Sequence, residues 1–245
     1  MLKHQYQDGV YDRIREGGDI VFAMLGLKDG IPAVMLVAER YVEPYRPESL
    51  LPVDVNSWRH GVVWALIKKE RISSIGRERP DLGRVERWYS KAVRLERLLG
   101  RLERLRLDDR NLRRETGRTK SKMYRYHRGY SQWLANKIVR KALKHKSKVI
   151  IDKALEESWR ELLEEGLTKH EAKIQMAGVR KFIKLLETQL RWHGVPYEFK
   201  RLPSRVCPNC EIEMEELPGR RMRCHMCGLE EDRDKIPILW ALKLA

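Results

Sequence analysis

The residues best suited to chemistry are cysteines near the end of the chain, arranged as two Cys-x-x-Cys pairs. Cys207 and Cys210 form the first pair, and Cys224 and Cys227 form the second. Each pair can present two thiolates from one tight turn, and the short loop between the pairs lets them converge on one tetrahedral Zn²⁺. The chain contains 4 cysteines in all, so none is left over for nucleophilic catalysis. The spacing therefore predicts a structural zinc site.

The alternative use of these cysteines is a pair of disulfides in a secreted protein. Nothing that resembles a secretory signal opens the sequence, and such a signal is expected for an oxidising destination. Thiols that are all used in one zinc pattern suit a reducing compartment. We therefore expect zinc ligation and a cytoplasmic location.

Carboxylates at three separated places form a second candidate site. Asp54 lies near the end of a predicted strand, Asp152 follows an apolar run, and Asp232 and Asp234 follow the second cysteine pair. Divalent cations such as Mg²⁺ take oxygen ligands, and two of them roughly 4 Å apart can clamp the attacking and leaving oxygens of a phosphodiester. One aspartate at a strand end is usually a turn former or a cap. The prediction of a site for Mg²⁺ or Mn²⁺ therefore requires that the carboxylates from all three places lie close together in the fold.

The charge of the chain indicates its partner. Lys and Arg number 51 against 35 Asp and Glu, a formal net charge of +16. Such a chain is drawn to a polyanion, because each neutralised phosphate releases condensed counterions. No apolar run is long enough to span a bilayer, and we therefore expect nucleic acid as the partner and no association with a membrane.

The first half of the chain divides into strands and then helices. Apolar stretches at 20–25 and 31–37 flank a turn and predict a β-hairpin, and residues 53–67 predict two further strands with Asp54 on the first. From 81 to 146 apolar residues recur at steps of three and four, which predicts a helical hairpin with its break around 108–117.

The returning helix of that hairpin mixes basic and aromatic residues. Basic side chains can hold a phosphate backbone while aromatic rings stack on bases. The other interpretation is that the rings pack against the first helix while the charges form a solvated face, and the sequence leaves both open. The candidates for nucleic-acid binding are Lys120, Lys122, Arg125, Arg128, Tyr126 and Tyr130.

The second half alternates short strands with helices. Residues 148–151 predict a buried strand that ends at Asp152, residues 170–192 predict one helix, and residues 195–200 predict a strand leading into the cysteines. A short helix with Pro237 in its first turn is expected after Asp234.

The segment from Ser204 to Asp234 resembles the C-terminal signature of the transposon-encoded TnpB (OrfB) proteins, which are relatives of the type V CRISPR effector nucleases. That signature places a zinc ribbon inside a RuvC-like nuclease domain. An Asp-Arg-Asp-x-Asn run follows the last Cys-x-x-Cys-Gly, and here Asp232-Arg233-Asp234 comes shortly after Gly228. The upstream order of strands, helical hairpin and acidic residues agrees, so the resemblance covers roughly residues 31–245.

The resemblance implies an α/β fold: a RuvC-like (RNase H-like) mixed sheet with a long helical hairpin insertion and a C-terminal zinc ribbon with four cysteine ligands. The domains it implies are an N-terminal β-rich remnant of a wedge domain at 1–52, a nuclease core at 53–202 and 231–245 with the hairpin at 81–146, and the ribbon at 203–230.

The resemblance also implies a function. Asp54, Asp152 and Asp234 would bind Mg²⁺ or Mn²⁺, with Asp232 the less favoured member of its pair, and the cysteines would hold zinc. The chain would be a metal-dependent DNA endonuclease of mobile-element origin, with DNA and a guide RNA as its partners.

Several positions depart from the family pattern and support an alternative function. The middle acidic residue is Asp152 where the family has Glu, the expected Asn is replaced by Ile236, and Asn56 stands where a Gly usually follows the first Asp. These changes favour a catalytically weakened or inactive DNA- or RNA-binding zinc protein derived from a transposon. Glu156 or Glu157 would replace Asp152 if that side chain pointed away.

Overall fold

The protein is described by a computed structural model that covers residues 17–28, 31–152, 155–176 and 178–244. Its strands, in chain order, are β1 (Asp19–Lys28), β2 (Ile31–Glu39), β3 (Ser49–Val55), β4 (Val62–Lys68), β5 (Arg71–Glu78), β6 (Ser147–Ile151), β7 (Tyr197–Phe199), β8 (Glu215–Leu217), β9 (Arg221–Arg223) and β10 (Glu230–Asp232). Its α-helices are α1 (Leu82–Arg104), α2 (Arg110–Lys144), α3 (Leu155–Glu164), α4 (Lys169–Met176), α5 (Val179–Trp192) and α6 (Ile236–Leu242), and a 3₁₀ turn spans Arg233–Lys235.

The centre of the fold is a five-stranded mixed sheet in the order β5-β4-β3-β6-β7. Strands β3, β4 and β5 pair antiparallel, whereas β6 runs parallel to β3 and β7 runs parallel to β6. The nearly continuous apolar runs of β3, β4 and β6 are buried along most of their length, as expected for strands covered on both faces. This arrangement confirms the predicted α/β fold with a mixed sheet.

The predicted helical hairpin is formed by α1 and α2. Asp81 begins α1 by accepting a hydrogen bond from the backbone N–H of Arg84 at 3.0 Å, and the predicted apolar stripe buries Val85 and Leu95. The break lies at 105–109 and overlaps the predicted break around 108–117 only at residues 108 and 109. Gly117 lies inside α2, because one glycine costs a helix only about 1 kcal/mol and does not end it.

The prediction of one continuous helix over 170–192 is wrong. Two helices, α4 and α5, occupy this stretch, and Gly178 between them has a φ of +87°. A left-handed residue cannot continue a right-handed helix. Gly178 lies close to the core, since a Cβ on it would lie 3.6 Å from the Cβ of His127 and from Nε1 of Trp58.

Two smaller sheets complete the fold. Strands β1 and β2 form the predicted N-terminal hairpin by antiparallel pairing, and β8, β9 and β10 form a three-stranded sheet beside the cysteines. Helix α6 has Pro237 in its first turn, as predicted. Within the described ranges no helix combines the length and the apolar character needed to cross a bilayer.

Gly61 closes the turn between β3 and β4, and its replacement by alanine is expected to destabilise the protein strongly. Its φ is +85°, and an added Cβ would lie 2.5 Å from the backbone oxygen of Glu78. Left-handed strain and this clash with backbone together are expected to lower the free energy of unfolding by about 3 kcal/mol. Urea titration measures the change.

The matched control is Gly117→Ala. A Cβ on Gly117 meets nothing within 4 Å, and alanine is the better helix former, so this variant is expected to gain about 0.5–1 kcal/mol. Equal stability of Gly61→Ala and the wild type would contradict the role given to the turn.

Candidate functional site

The cysteine pairs converge as predicted. The sulfur atoms of Cys207, Cys210, Cys224 and Cys227 all lie within 4.8 Å of one another, and the Sγ atoms of Cys207 and Cys227 are 3.7 Å apart. A tetrahedral zinc with Zn–S bonds of about 2.3 Å requires sulfur atoms about 3.8 Å apart. The four thiols therefore have the geometry of a structural zinc site.

Both cysteine pairs lie on turns of the same construction. The N–H of Glu211 donates to the carbonyl of Cys207, and the N–H of Gly228 donates to the carbonyl of Cys224, each at 2.9 Å. Glu211 and Gly228 both have positive φ, 60° and 71°. A chain that turns in this way directs successive backbone N–H groups towards the sulfurs, which is how each turn presents two thiolates.

The backbone also favours the thiolate state at the second pair. The N–H of Leu229 is the largest cause that lowers the pKa of Cys227, to about 7. The N–H of Cys227 is likewise the largest cause that lowers the pKa of Cys224. Because zinc binds thiolates rather than thiols, these hydrogen bonds support metal ligation by this pair.

Asp54 and Asp152 lie side by side at the ends of neighbouring parallel strands. Val53 on β3 is paired with Ile151 on β6, so the next residue on each strand is one of the two aspartates. The N–H of Asp152 continues the ladder by donating to the carbonyl of Val53 at 3.0 Å. The two residues are only 3% and 2% exposed.

This burial changes the acidity of Asp54. Its pKa lies well above the ordinary value, first because of burial and then because of the negative charges of Asp152 and Asp234. Asn56 opposes the shift, because its Nδ2 donates to Oδ2 of Asp54 at 2.6 Å. Crowded buried carboxylates need either a shared proton or a cation.

Asp152 points towards Asp54, since a hydrogen bond between the two side chains also contributes to the raised pKa of Asp54. Its Oδ1 accepts the N–H of Leu202 at 3.3 Å. The condition under which Glu156 or Glu157 would replace Asp152 is therefore not met. The side chains of Glu156 and Glu157 themselves lie outside the described part of the chain.

Asp234 lies just after the last strand of the small sheet beside the cysteines. It belongs to the 3₁₀ turn that follows β10, and Asp232 caps that turn by accepting the N–H of Asp234 at 2.9 Å. Asp234 is 2% exposed, and its charge acts on Asp54. The three predicted carboxylates thus come to one region, although they do not form a second group with all ligand atoms within 4.8 Å in the described ranges.

Two arginines that no sequence motif indicates bind Asp234. Nη2 of Arg220 donates to Oδ1 of Asp234 at 2.8 Å, and Nη2 of Arg77 lies 3.0 Å from its Oδ2. Arg77 also donates to both oxygens of Asp232 at 2.9 Å. Arg77 lies 155 positions before Asp232, so no local pattern could have found this contact.

Arg220 also connects the ribbon to the core around the carboxylates. Its Nη1 lies 3.5 Å from Glu161, 3.3 Å from Glu165 and 3.3 Å from Nε2 of His60. His60 is buried, and burial followed by the charge of Arg220 lowers its pKa to about 3. His60 is therefore a neutral neighbour of the site at physiological pH.

The residues present fit a divalent cation in two respects. Every acidic group of the cluster offers carboxylate oxygens, the ligands that Mg²⁺ and Mn²⁺ prefer. Within the described part of the chain, Oδ2 of Asp234 accepts no well-aligned hydrogen bond although it is fully buried. A buried lone pair without an aligned donor is expected where a ligand or ion binds.

The basic residues predicted to bind nucleic acid divide into two groups. Lys122, Arg125 and Arg128 are exposed on α2. Lys120 is half-buried and forms an ion pair with Glu96 of α1. Binding of nucleic acid by these side chains stays a prediction.

The two aromatic candidates lie in packing contacts. Tyr126 contacts Trp88 of α1 with ring centroids 5.7 Å apart, and its hydroxyl accepts the N–H of Asp81 at 2.7 Å. Tyr130 meets Trp58 edge to face at 5.4 Å. These contacts favour the packing interpretation for both rings.

The comparisons with known proteins agree with the geometry of the cysteine cluster. A family model described as "Cas12f1-like, TNB domain" matches residues 180–236. The TnpB-like protein MJ0751 of Methanocaldococcus jannaschii is 21% identical over 241 residues, which cover 96% of this chain and 82% of that protein. The chain is thus similar to a TnpB-like protein, and its residues 180–236 are similar to the TNB domain.

Among solved structures, the chain is similar to one described as "Cryo-EM structure of CRISPR-Cas12f Ternary Complex", with a TM-score of 0.49 and 16% identity. The match covers 95% of this chain and 48% of the Cas12f chain. The chain thus spans about half of the length of that relative.

Proposed function

We propose that this chain is a divalent-metal-dependent endonuclease that cleaves DNA phosphodiesters, with Asp54, Asp152 and Asp234 as the ligands of the metal ions. The observation that carries the proposal is the placement of two buried aspartates at the ends of neighbouring parallel strands, with a third delivered by the ribbon. The raised pKa of Asp54 supports it, because after burial the charges of Asp152 and Asp234 are its main causes.

The chain's own residues hold and orient this cluster. The carboxylates of Asp54 and Asp152 would bind Mg²⁺ or Mn²⁺ together, while Asn56 keeps Oδ2 of Asp54 in one orientation. When bound, divalent ions activate the attacking water and stabilise the leaving oxygen of a phosphodiester. The three aspartates are at most 3% exposed, and exclusion of bulk water from such groups strengthens the electrostatic interactions that they make.

A basic face of α2 would hold the nucleic acid. Five exposed basic positions fall within an arc of about 120° at the helical spacing of about 100° per residue: Arg114, Arg118, Lys122, Arg125 and Arg128. The net charge of +16 supports the same partner. A guide RNA is proposed only by analogy with the family.

We also propose the division into domains. Residues 49–202 and 231–245 would form the nuclease core, with residues 203–230 as an inserted zinc ribbon and residues 1–48 as a separate N-terminal segment. The predicted boundary at residue 52 is moved because β3 of the central sheet begins at Ser49. The pairing of β3 with β6 and the separate sheet of β8, β9 and β10 support this division.

A second candidate function is nucleic-acid binding without cleavage. It is favoured by the guanidinium groups of Arg77 and Arg220, which already lie within 3.0 Å and 2.8 Å of the Asp234 carboxylate. A positive side chain at this position supplies the charge that a metal ion would otherwise supply. The shorter Asp152 in place of the family's Glu points to the same outcome.

Cleavage assays with purified zinc-loaded protein separate the two functions. Single- and double-stranded DNA and RNA are incubated with Mg²⁺, with Mn²⁺ or without an added divalent ion. Wild-type protein is expected to cleave DNA only with the added ion. Asp54→Ala is expected to lose cleavage by about a thousandfold or more, since it removes a metal ligand.

Asp232→Asn is the matched control, because it removes an aspartate next to the site that caps a turn and is not proposed as a ligand. It is expected to keep a measurable metal-dependent rate. Tight, salt-sensitive binding by the wild type with no cleavage under any condition would reject the nuclease and leave the binding protein.

A further inference from the structure

A cleft of about 200 Å³ lies where the ribbon meets α3. Its walls are the segment from 201 to 206, one side of α3, and Arg233 at the base. The charged residues that line it are Arg160, Arg201, Arg205, Arg233, Glu161 and Glu164. Arginine thus predominates in a concave site that none of the predicted roles has used.

The acidic charge at the base of this cleft is already neutralised. Arg233, which is 4% exposed, donates to Oε1 of Glu161, which is 9% exposed. Arg220 adds a second guanidinium 3.5 Å from Oε2 of Glu161. Glu161 therefore serves as a partner of arginines inside the protein rather than as a repulsive group facing an incoming anion.

The rim of the cleft is formed by exposed guanidinium groups. Arg160, Arg201 and Arg205 are all exposed. Arg205 has a side-chain contact with Glu216 at 3.5 Å, but both side chains are over 40% exposed, at 45% and 41%. Such an exposed pair is weak and leaves the arginine available to a stronger anion.

Two links connect the lining of the cleft to the carboxylates. Leu202, which follows Arg201 in the chain, donates its N–H to Oδ1 of Asp152 at 3.3 Å. Arg233, which lines the cleft, directly precedes Asp234 in the chain. The cleft is therefore connected through adjacent residues to two of the three aspartates.

We propose that this arginine cleft binds a phosphate of the nucleic-acid strand next to the phosphate that the aspartates face. Guanidinium groups are planar forks that hold phosphate oxygens through paired, charge-assisted hydrogen bonds. This inference rests on the proposed function, because the ligand of the cleft is the same nucleic-acid strand that the aspartates would cleave. A free nucleotide also carries a phosphate, and the test distinguishes a nucleotide from a strand.

The test compares binding of fluorescein-labelled single-stranded DNA to the full chain by fluorescence anisotropy over a range of salt concentrations, without added Mg²⁺ or Mn²⁺. The variant Arg160→Gln/Arg201→Gln/Arg205→Gln is expected to bind about tenfold more weakly. Its slope of log Kd against log salt is expected to fall by about 0.7 for each phosphate that the variant no longer neutralises.

The control is Lys68→Gln/Lys69→Gln/Arg71→Gln, which removes the same number of positive charges. These residues are exposed at the turn between β4 and β5, at the end of the sheet opposite Asp54, because Ile67 pairs with Leu50 and Val63 pairs with Asp54. It is expected to keep the wild-type slope. Circular dichroism and zinc content verify that both variants are folded.

Each outcome decides the proposal. A wild-type slope in the cleft variant overturns it, as does an equal decrease in the control, since that would show only a general charge effect. Calorimetry with thymidine 5′-monophosphate tests whether the cleft binds a free nucleotide instead. If the cleft variant loses nucleotide binding but binds DNA as the wild type does, the proposed contact with the strand is also overturned. Because no cleavage is measured, an inactive wild type would reject the nuclease while leaving this result intact.

Discussion

Replacing Cys224 by serine is expected to abolish zinc binding and to unfold the ribbon. The four sulfurs lie within 4.8 Å of one another, and the buried core of this region is small. It consists of Cys207, Cys224, Met214, Met222 and Ile236. Zinc contributes about 10–16 kcal/mol to folding in small zinc modules. No apolar core of this size could offset the loss of that contribution.

The measurements are metal content per chain and limited proteolysis. The variant is expected to carry no tightly bound zinc and to be cut first within 203–230. Met226→Ser is the matched control, because Met226 lies between the two cysteines of the same turn and is 70% exposed. A Cys224→Ser protein that retained one zinc and resisted proteolysis would contradict the assignment.

Unfolding of the ribbon is also expected to displace one of the carboxylates. The N–H of Arg233 donates to the carbonyl of Arg220 at 2.8 Å, and β10 ends at Asp232, two residues before Asp234. An unfolded ribbon would therefore release both Asp234 and its arginine partner. Cleavage is expected to disappear together with the zinc.

Arg220→Gln is expected to cost about 2–3 kcal/mol in the absence of divalent ions, because removing one partner of a buried ion pair leaves a charge that is poorly solvated. Asp234 is 2% exposed, and Arg220 donates to its Oδ1 at 2.8 Å. Arg77, 3.0 Å from Oδ2, compensates for part of the loss, which keeps the effect below that of a fully isolated charge.

The same variant should respond more strongly to Mg²⁺ or Mn²⁺. A metal ion and the guanidinium of Arg220 compete for the carboxylate of Asp234, so removal of Arg220 favours the ion. Ligands that bind only the folded state raise its stability by mass action. The rise in Tm on adding Mn²⁺ is therefore expected to be larger in Arg220→Gln than in the wild type.

Arg221→Gln provides the control for this prediction. Arg221 is the next residue, and its ion pair with Glu230 at 3.1 Å is exposed, so its loss is expected to change stability by less than about 0.5 kcal/mol. Equal stabilities of the two variants, or equal responses to Mn²⁺ in Arg220→Gln and wild type, would show that Arg220 does not act on Asp234 as described.

Features that depend on neighbouring residues were predictable from the sequence. The two Cys-x-x-Cys turns need only local hydrogen bonds, such as that from Glu211 to Cys207, to aim their sulfurs. The strand-end positions of Asp54 and Asp152 follow from apolar runs that precede each of them. Boundaries were less certain, as Gly117 and Gly178 show: one lies within a helix and the other separates two helices.

The sequence by itself determined the zinc ribbon, the order of strands and helices, and the aspartates that could form a metal site. Only the tertiary structure decided the surroundings of those aspartates. Arg77 and Arg220 reach Asp234 from a distant strand and from the ribbon, and Tyr130 contacts Trp58. Contacts of this kind depend on how separate elements pack, and spacing along the chain carries no record of them.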